Sequence, residues 1–350
     1  MTTLASADRA SSTTVIPFRS LDGRRLTLLN VRGTSEPSRG PVLLVHGAGV
    51  RAEIFRAPVR RTIVDALIED GWDPWLLNWR ASIDLEPVPW TLDEAAAYDH
   101  PAAVAEVLRR TGAESLKAIV HCQGSTSFVM SAAAGLLPEV DTIVANAVSL
   151  HPVVPAWSEV KIRAIPPVSS RLIPHVSPAW GDRPRGSVSR MMTWGVRAAH
   201  NECENDVCAM VSFTYGSGSP ALWSHRRISE ATHDWLRGEF GEVPFTFFDQ
   251  MARSIVAGQM VGAGPVIDGL PPRYADDAPR TTARFALFAG EDNLCFLPDS
   301  QVRTHAFLSR TRPDAGDTLH VIPGYGHLDV FMGDDAATDI FPLMLEELRL

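Results

Sequence analysis

The chain is poor in cysteine, with Cys122, Cys203, Cys208 and Cys295 alone among 350 residues. Four are too few for a disulfide framework at this length, so a reducing cytoplasm is the default location. No apolar run approaches the roughly 18 residues of a membrane span. The first residues, MTTLASADRASST, lack a basic segment followed by an apolar one and read as a polar, loose leader. Basic charge is in deficit: 32 Lys and Arg face 41 Asp and Glu, and the net charge of −9 argues against a nucleic-acid surface. Internal repeats and low-complexity tracts are also missing, which excludes a repeat array. What is present is an ordinary globular composition, 45% apolar and 21% charged. The length suits one large α/β domain with an insertion, or two domains, with a substantial core.

Strand and helix signals alternate along the chain. Thr14–Phe18 and Arg25–Val31 read as strands joined through Asp22-Gly23. Pro41–Val45 is a short apolar run of the kind covered on both faces of a sheet, and it leads straight into His46-Gly47-Ala48-Gly49. Helical spacing over Pro58–Ile68 stops at Gly71, Trp75–Trp79 is a strand, and Asp93–Arg110 is a helix ending before Gly112. Strands are expected again at Leu116–Val120, Val140–Val148, Arg284–Ala289 and Thr318–Ile322, and helices at Pro298–Ser309 and Ala336–Leu348. Such alternation predicts a mostly parallel sheet with helices on both faces. Between residues 151 and 280 the pattern breaks. Prolines cluster there (Pro152, Pro155, Pro166, Pro167, Pro174, Pro178), beside bulky apolar groups at Met191, Met192, Trp194, Phe245, Phe247, Phe248, Met251 and Met260. A connection this long has structure of its own. It reads as a mainly helical cap over a core made of residues 1–150 and 281–350. Most of its apolar groups would form the cap's own core, and a minority would line an apolar acyl pocket.

The chemistry centres on SLKAIVHCQGSTS, Ser115–Ser127. An apolar strand runs into His121-Cys122-Gln123-Gly124, and a small-residue helix follows from Ser125 to Leu137. This is the strand, sharp turn and helix of a G-x-S-x-G nucleophile elbow with Cys122 in place of serine. Helix N–H groups and the helix dipole at that turn favour a thiolate. Gly124 fits the small position two after the nucleophile, whereas Val120 stands where a glycine is usual. Strand Arg284–Ala289 ends in Gly290-Glu291-Asp292, and the last strand is followed by Gly324-Tyr325-Gly326-His327. The order Cys122, Asp292, His327 is the nucleophile–acid–base order of the α/β-hydrolase fold, each member following a strand. Glu291 is the alternative acid.

Roles follow from the chemistry. His327 would take the Cys122 proton or form a thiolate–imidazolium pair with it, and Asp292 would hold the imidazole tautomer. The N–H of Gln123 and that of Ala48, where Gly47 and Gly49 allow close approach, would form the oxyanion hole, each donor worth about 3 kcal/mol of barrier. His46 and His121 read as supports for their loops. Cys203 and Cys208, with His200 nearby, lack a second ligand pair at a suitable spacing, so no metal is expected, and no cofactor either. Cys295 reads as a packing residue near the pocket.

The segments WLLNWRASIDL, IVHCQGSTSF, CENDVCAMVSFTYG and GYGHLDVFMGDDAATDIFP, spanning about residues 75 to 345, resemble the α/β-hydrolases found fused to, or encoded with, cholesterol-oxidase-like GMC oxidoreductases. The last segment also resembles the catalytic-histidine region of acid lipases. An elbow cysteine is similar to that of polyhydroxyalkanoate synthases and dienelactone hydrolases. The resemblance implies an α/β-hydrolase fold, an ester- or lipid-type acyl substrate, an oxidoreductase partner, and a structural role in the cap for Cys203 and Cys208. Asn78 departs from it, standing where aspartate is expected. Together these features predict a cysteine-dependent acyl hydrolase or acyltransferase acting on an ester or thioester, the latter carried by CoA or a carrier protein. Two alternatives are a polymerising hydroxyacyl transferase and a non-catalytic binding protein on the same scaffold.

Overall fold

Short apolar runs bounded by turn residues become the strands of one eight-stranded sheet. The computed structural model describes residues 11–164, 173–200, 203–218 and 220–350. The leader at residues 1–10 and two of the clustered prolines, Pro166 and Pro167, lie outside them. β1 (Ser12–Arg19) and β2 (Arg25–Arg32) form a hairpin. β3 (Pro41–Val45), β4 (Asp73–Asn78), β5 (Leu116–His121) and β6 (Val140–Asn146) follow. A two-stranded ribbon, β7 (His175–Val176) with β8 (Val243–Pro244), lies outside the main sheet. β9 (Arg284–Gly290) and β10 (Thr318–Ile322) complete it. The strand order is β1-β2-β4-β3-β5-β6-β9-β10. β2 is antiparallel to both of its neighbours, and every other neighbouring pair is parallel. β3 and β4 are buried along their whole length, as strands covered on both faces must be.

The helices differ from expectation where local chemistry sets their ends. The helix expected from Pro58 starts only at Ile63, because Thr62 and Asp65 form a reciprocal capping box there. A second such box, Thr91 with Glu94, starts the next helix at Leu92; it widens into a π-turn over Ala95–Asp99 before His100–Thr111. The C-terminal helix is two pieces, Ala336–Asp339 and Phe341–Arg349, since Pro342 favours a fresh helix start over continuation. The elbow helix begins at Cys122 itself and ends at Ala133.

Among the described residues between β6 and β9, helices lie at Ala156–Ala164, Gly186–Ala199, Asp206–Tyr215, Glu230–Trp235 and Phe245–Ala257, with turns and loops making up the rest. Phe245, Phe247, Phe248, Met251 and Met260 are buried as expected, but Met191 and Trp194 are 68% and 74% exposed. On the Gly186–Ala199 helix the inward stripe is Ser189, Thr193 and Val196, which leaves 191 and 194 on the outer face. No helix among the described residues is long and apolar enough to cross a membrane.

One buried ion pair ties the sheet to the helix beside the elbow. Asp99, fully buried, accepts from the backbone N–H, Nε and a terminal nitrogen of Arg80, the last at 2.7 Å. Removing one partner of such a pair strands a charge in the core. Arg80→Met is therefore expected to destabilise the fold by about 3–5 kcal/mol, measured by urea unfolding. A change below about 1 kcal/mol, the worth of a surface pair, would refute this assignment.

Candidate active site

The elbow is built as its sequence implies. Cys122 has φ +55°, one of two described non-glycine residues in the left-handed region. A side chain there is strained, and the strain is held by close packing behind it. A Cβ on Gly124 would come 2.1 Å from the His46 carbonyl oxygen, so only glycine lets the elbow helix pack against the end of β3. Val120, in place of the usual first glycine, is simply buried in β5.

Three side chains meet at the turn. Ligand-capable atoms of His121, Cys122 and His327 all lie within 4.8 Å of one another. His327 is buried, with a ring nitrogen within 4.8 Å of the Cys122 sulfur, and its ring lies 4.6 Å from that of His121 at a tilt of 53°. A second thiol, that of Cys295, lines the same two cavities as Cys122. Burial alone would raise the Cys122 thiol. The Cys295 S–H, the charge and ring of His327, and the Gln123 N–H outweigh it and hold Cys122 well below the usual thiol range. Cys295 moves the other way, raised first by burial and then by its bond to Cys122. Cys295 is buried in the hydrophobic core and lines the cavity beside Cys122, as expected of a packing residue near the pocket.

The structure does not place Asp292 with His327. Asp292 is exposed, and its N–H donates to the Tyr325 carbonyl at 2.8 Å, which turns the carboxylate outward where β9 ends. Glu291, the alternative, is exposed too and accepts from the Gly324 N–H. The neighbour is Asn293, buried, with Nδ2 3.1 Å from His327 Nδ1. Its orientation is set from the other end, because Oδ1 accepts the N–H groups of Cys295 at 2.9 Å and Phe296 at 3.3 Å. An amide donor at Nδ1 leaves the ring proton on Nε2, the nitrogen available to Cys122. The sequence signal for Asn293 was its place one residue past the expected acid, at the same strand end.

Supporting groups surround these residues. His46 is buried and neutral, its pKa lowered to about 3 by burial, and its Nδ1 lies 2.7 Å from the Gly47 carbonyl oxygen. It does not reach the sulfur. His121 lies 2.9 Å from Asn146 Nδ2, and the same amide donates to the His327 carbonyl. Asp329, two residues past His327, accepts the Ser224 N–H, and burial raises its carboxyl to about 6. Asn78 accepts from the Ala52 N–H and the Ser82 hydroxyl, work that a neutral amide does without burying a charge.

The loop expected to complete the oxyanion hole lies over the sulfur. A Cβ on Gly47 would stand 3.4 Å from Cys122 Sγ. Ala48 lines a small cavity together with Cys122, His327, Cys295, Leu222 and Tyr215. The Tyr215 hydroxyl donates to the Ala48 carbonyl at 3.1 Å, and Arg51 makes a two-pronged contact with Glu239 at 2.7 and 2.8 Å. Beyond Cys122 opens a cavity walled by Phe213, Phe245, Phe247, Phe248, Met251 and Phe296. Lys161 is the one charged side chain among its described lining; it donates to the Phe213 and Gly216 carbonyls, and burial lowers it to about 8.

Comparison with solved structures settles the architecture. The chain matches the monoacylglycerol lipase of Paleococcus ferrophilus with a TM-score of 0.55 at 14% identity, over 96% of this chain and 98% of that one. It matches 2-hydroxy-6-oxo-6-phenylhexa-2,4-dienoate hydrolase of Rhodococcus sp. strain RHA1 with a TM-score of 0.54 at 16% identity, over 97% and 100%. The fold is that of the α/β-hydrolases. In this α/β-hydrolase fold, the carboxyl ends of β5, β9 and β10 carry Cys122, Asn293 and His327. Among characterised sequences, the chain is 27% identical over 141 residues to sterol esterase 2 of Saccharomyces cerevisiae, covering 34% of this chain and 26% of that protein. It is 24% identical over 302 residues to lipase lipl-3 of Caenorhabditis elegans, covering 77% and 70%. It is 28% identical over 144 residues to the poly(3-hydroxyalkanoate) polymerase subunit PhaC of Haloferax mediterranei, covering 39% and 29%. The matched stretches thus span only about a quarter of the yeast esterase and the archaeal subunit. No family model matches the chain.

The lowered Cys122 thiol gives a direct test. Alkylation of Cys122 by iodoacetamide, followed by peptide mass spectrometry, is expected to be at its plateau well below about pH 8.5, the ordinary thiol pKa. Cys295 should stay unmodified across the same range. A Cys122 profile rising through about pH 8.5 would contradict a stabilised thiolate.

Proposed function

We propose that this α/β-hydrolase-fold chain is an acyl hydrolase or acyltransferase in which Cys122 forms a covalent thioester with an apolar, lipid-like acyl group. The observation that carries the reading is the Cys122 sulfur, with a His327 ring nitrogen within 4.8 Å, on the wall of the apolar cavity. Residues 151–280 serve as the cap whose Phe-rich wall receives the acyl chain, over a core of residues 1–150 and 281–350. The esterase and lipase names of the matched proteins support an ester-type substrate.

The steps follow from the donors present. The Cys122 thiolate attacks the acyl carbon, and the carbonyl electron pair moves onto oxygen, held by the N–H groups of Gln123 and Ala48. The intermediate collapses with the leaving group taking its bonding pair. A thioester departs as a thiolate and needs no proton at that moment, whereas an oxygen ester needs one. Water or an alcohol then attacks the acyl-enzyme and must lose a proton to His327 Nε2. Asn293, donating to Nδ1, disfavours the tautomer that accepts there, and it lacks the charge with which a carboxylate would stabilise the imidazolium. Thioesters are therefore the better substrates and deacylation the slow step. A hydroxyacyl transferase is the second reading, favoured by the stretch similar to PhaC; it would make polymer from hydroxyacyl-CoA.

Two measurements test this. Incubation with acyl-CoA and p-nitrophenyl esters of medium chain length should leave an acyl adduct on Cys122 in intact-mass spectra, absent in Cys122→Ala together with turnover. An unmodified Cys122, with rates unchanged in the variant, would sink the proposal. Asn293→Asp keeps an acceptor for the Cys295 and Phe296 N–H groups and moves the ring proton to Nδ1. In serine triads the wrong tautomer costs about 10⁴-fold in kcat, so this change should speed deacylation at least about tenfold and shrink the steady-state adduct.

A further inference from the structure

Away from the elbow, a second group of side chains converges for which the fold itself offers no reason. Cys203 precedes the helix Asp206–Tyr215, and Cys208 lies in its first turn. His225 follows in the next connecting segment, and His233 is on the helix Glu230–Trp235. One sulfur or ring nitrogen from each of the four lies within 4.8 Å of all the others. Cys208 Sγ is 3.5 Å from His225 Nε2, and the two imidazoles meet edge to face at 4.8 Å. His233 Nε2 is buried without a hydrogen-bond partner among the described residues. Cys203 and Cys208 thus acquire the second ligand pair that their own spacing did not suggest.

We propose that Cys203, Cys208, His225 and His233 bind a structural Zn²⁺. Two thiolates and two neutral imidazoles balance the ion's charge and make the closed four-ligand set that tetrahedral zinc favours. Zn–S bonds of about 2.3 Å and Zn–N bonds of about 2.0 Å put tetrahedral ligand atoms roughly 3.3–3.8 Å apart, the scale of this cluster. A Cys203–Cys208 disulfide would use the sulfurs but leave the convergence of two imidazoles unexplained. Outer contacts orient the ligands: Asn205 accepts the N–H groups of Val207 and Cys208 on Oδ1, and its Nδ2 donates to the His233 carbonyl.

The location gives the ion a task. Between the two ligand pairs runs the segment that holds the His327 loop. The Leu222 carbonyl accepts the N–H groups of His327 at 3.1 Å and Leu328 at 2.7 Å, and the Ser224 N–H donates to Asp329. His225 is the next residue. Zinc would pin this segment to the helix bearing Phe213 and Tyr215, both of which face the site.

The test is metal content, which does not depend on whether Cys122 is catalytic. Full-length protein carrying Cys122→Ala, which removes a thiol from the other His/Cys cluster, is purified without a polyhistidine tag or chelator and assayed by inductively coupled plasma mass spectrometry. About one zinc per chain is expected. Adding Cys208→Ser or His233→Ala should remove most of it. Cobalt reconstitution of the chelator-treated parent should give a thiolate-to-cobalt charge-transfer band that is lost in Cys203→Ser/Cys208→Ser. Should the ligand variants fail to fold, the parent's zinc content and cobalt spectrum decide alone. A parent with no bound zinc that also takes up neither Zn²⁺ nor Co²⁺, or one with Cys203 and Cys208 joined in a disulfide by non-reducing peptide mapping, overturns the proposal.

Discussion

The site depends on one close approach, that of Gly124 to the His46 carbonyl at the end of β3. With no side chain at 124, the elbow helix starts directly against the neighbouring strand, and the turn before it must be tight enough to force Cys122 to positive φ. That conformation points the sulfur off the sheet edge and beneath Gly47, so the same packing that creates the strain also brings the Gly47 loop over Cys122. β5, β9 and β10 run in parallel register beyond this point, and their ends deliver the remaining groups to the same rim. A larger residue at 124 would separate helix from strand and disturb all of these relations at once.

Around the sulfur, the balance is between desolvation and donors. An apolar wall on one side penalises charge, and a thiol, an imidazole and a backbone N–H on the other side favour it. The group at His327 Nδ1 is an amide, so no carboxylate occupies that position. In the proposed reaction this balance would make Cys122 a nucleophile ready before substrate arrives, not one activated by proton transfer in each cycle.

Much of this was legible in the chain. Thr318–Ile322 and Pro41–Val45 form strands with the expected boundaries, because buried strands depend on short apolar runs that are visible locally. Cys122 and His327 were legible for the same reason, each closing such a run. The partner of His327 was not. Asp292 and Asn293 are adjacent, and which one faces inward is decided by the bond from the Asp292 N–H to Tyr325, thirty-odd residues away. Cys295 was legible as a buried residue near the pocket, and it lines the cavity beside Cys122. The exposure of Met191 and Trp194 shows the opposite error: bulky apolar residues suggested burial, but the helix directs its small and hydroxylated stripe inward instead.

The contact of Tyr215 with Ala48 has a mechanical consequence. Tyr215 belongs to a helix lining the cavity, and Ala48 to the loop over Cys122. Arg51 and Glu239 rivet the same two parts a few residues away. A bulky guest that pried the helix away would drag that loop out of alignment, so entry by force and turnover oppose each other. Slender molecules that slide in lengthwise leave the rivets intact, which makes the hinge itself a filter on molecular girth.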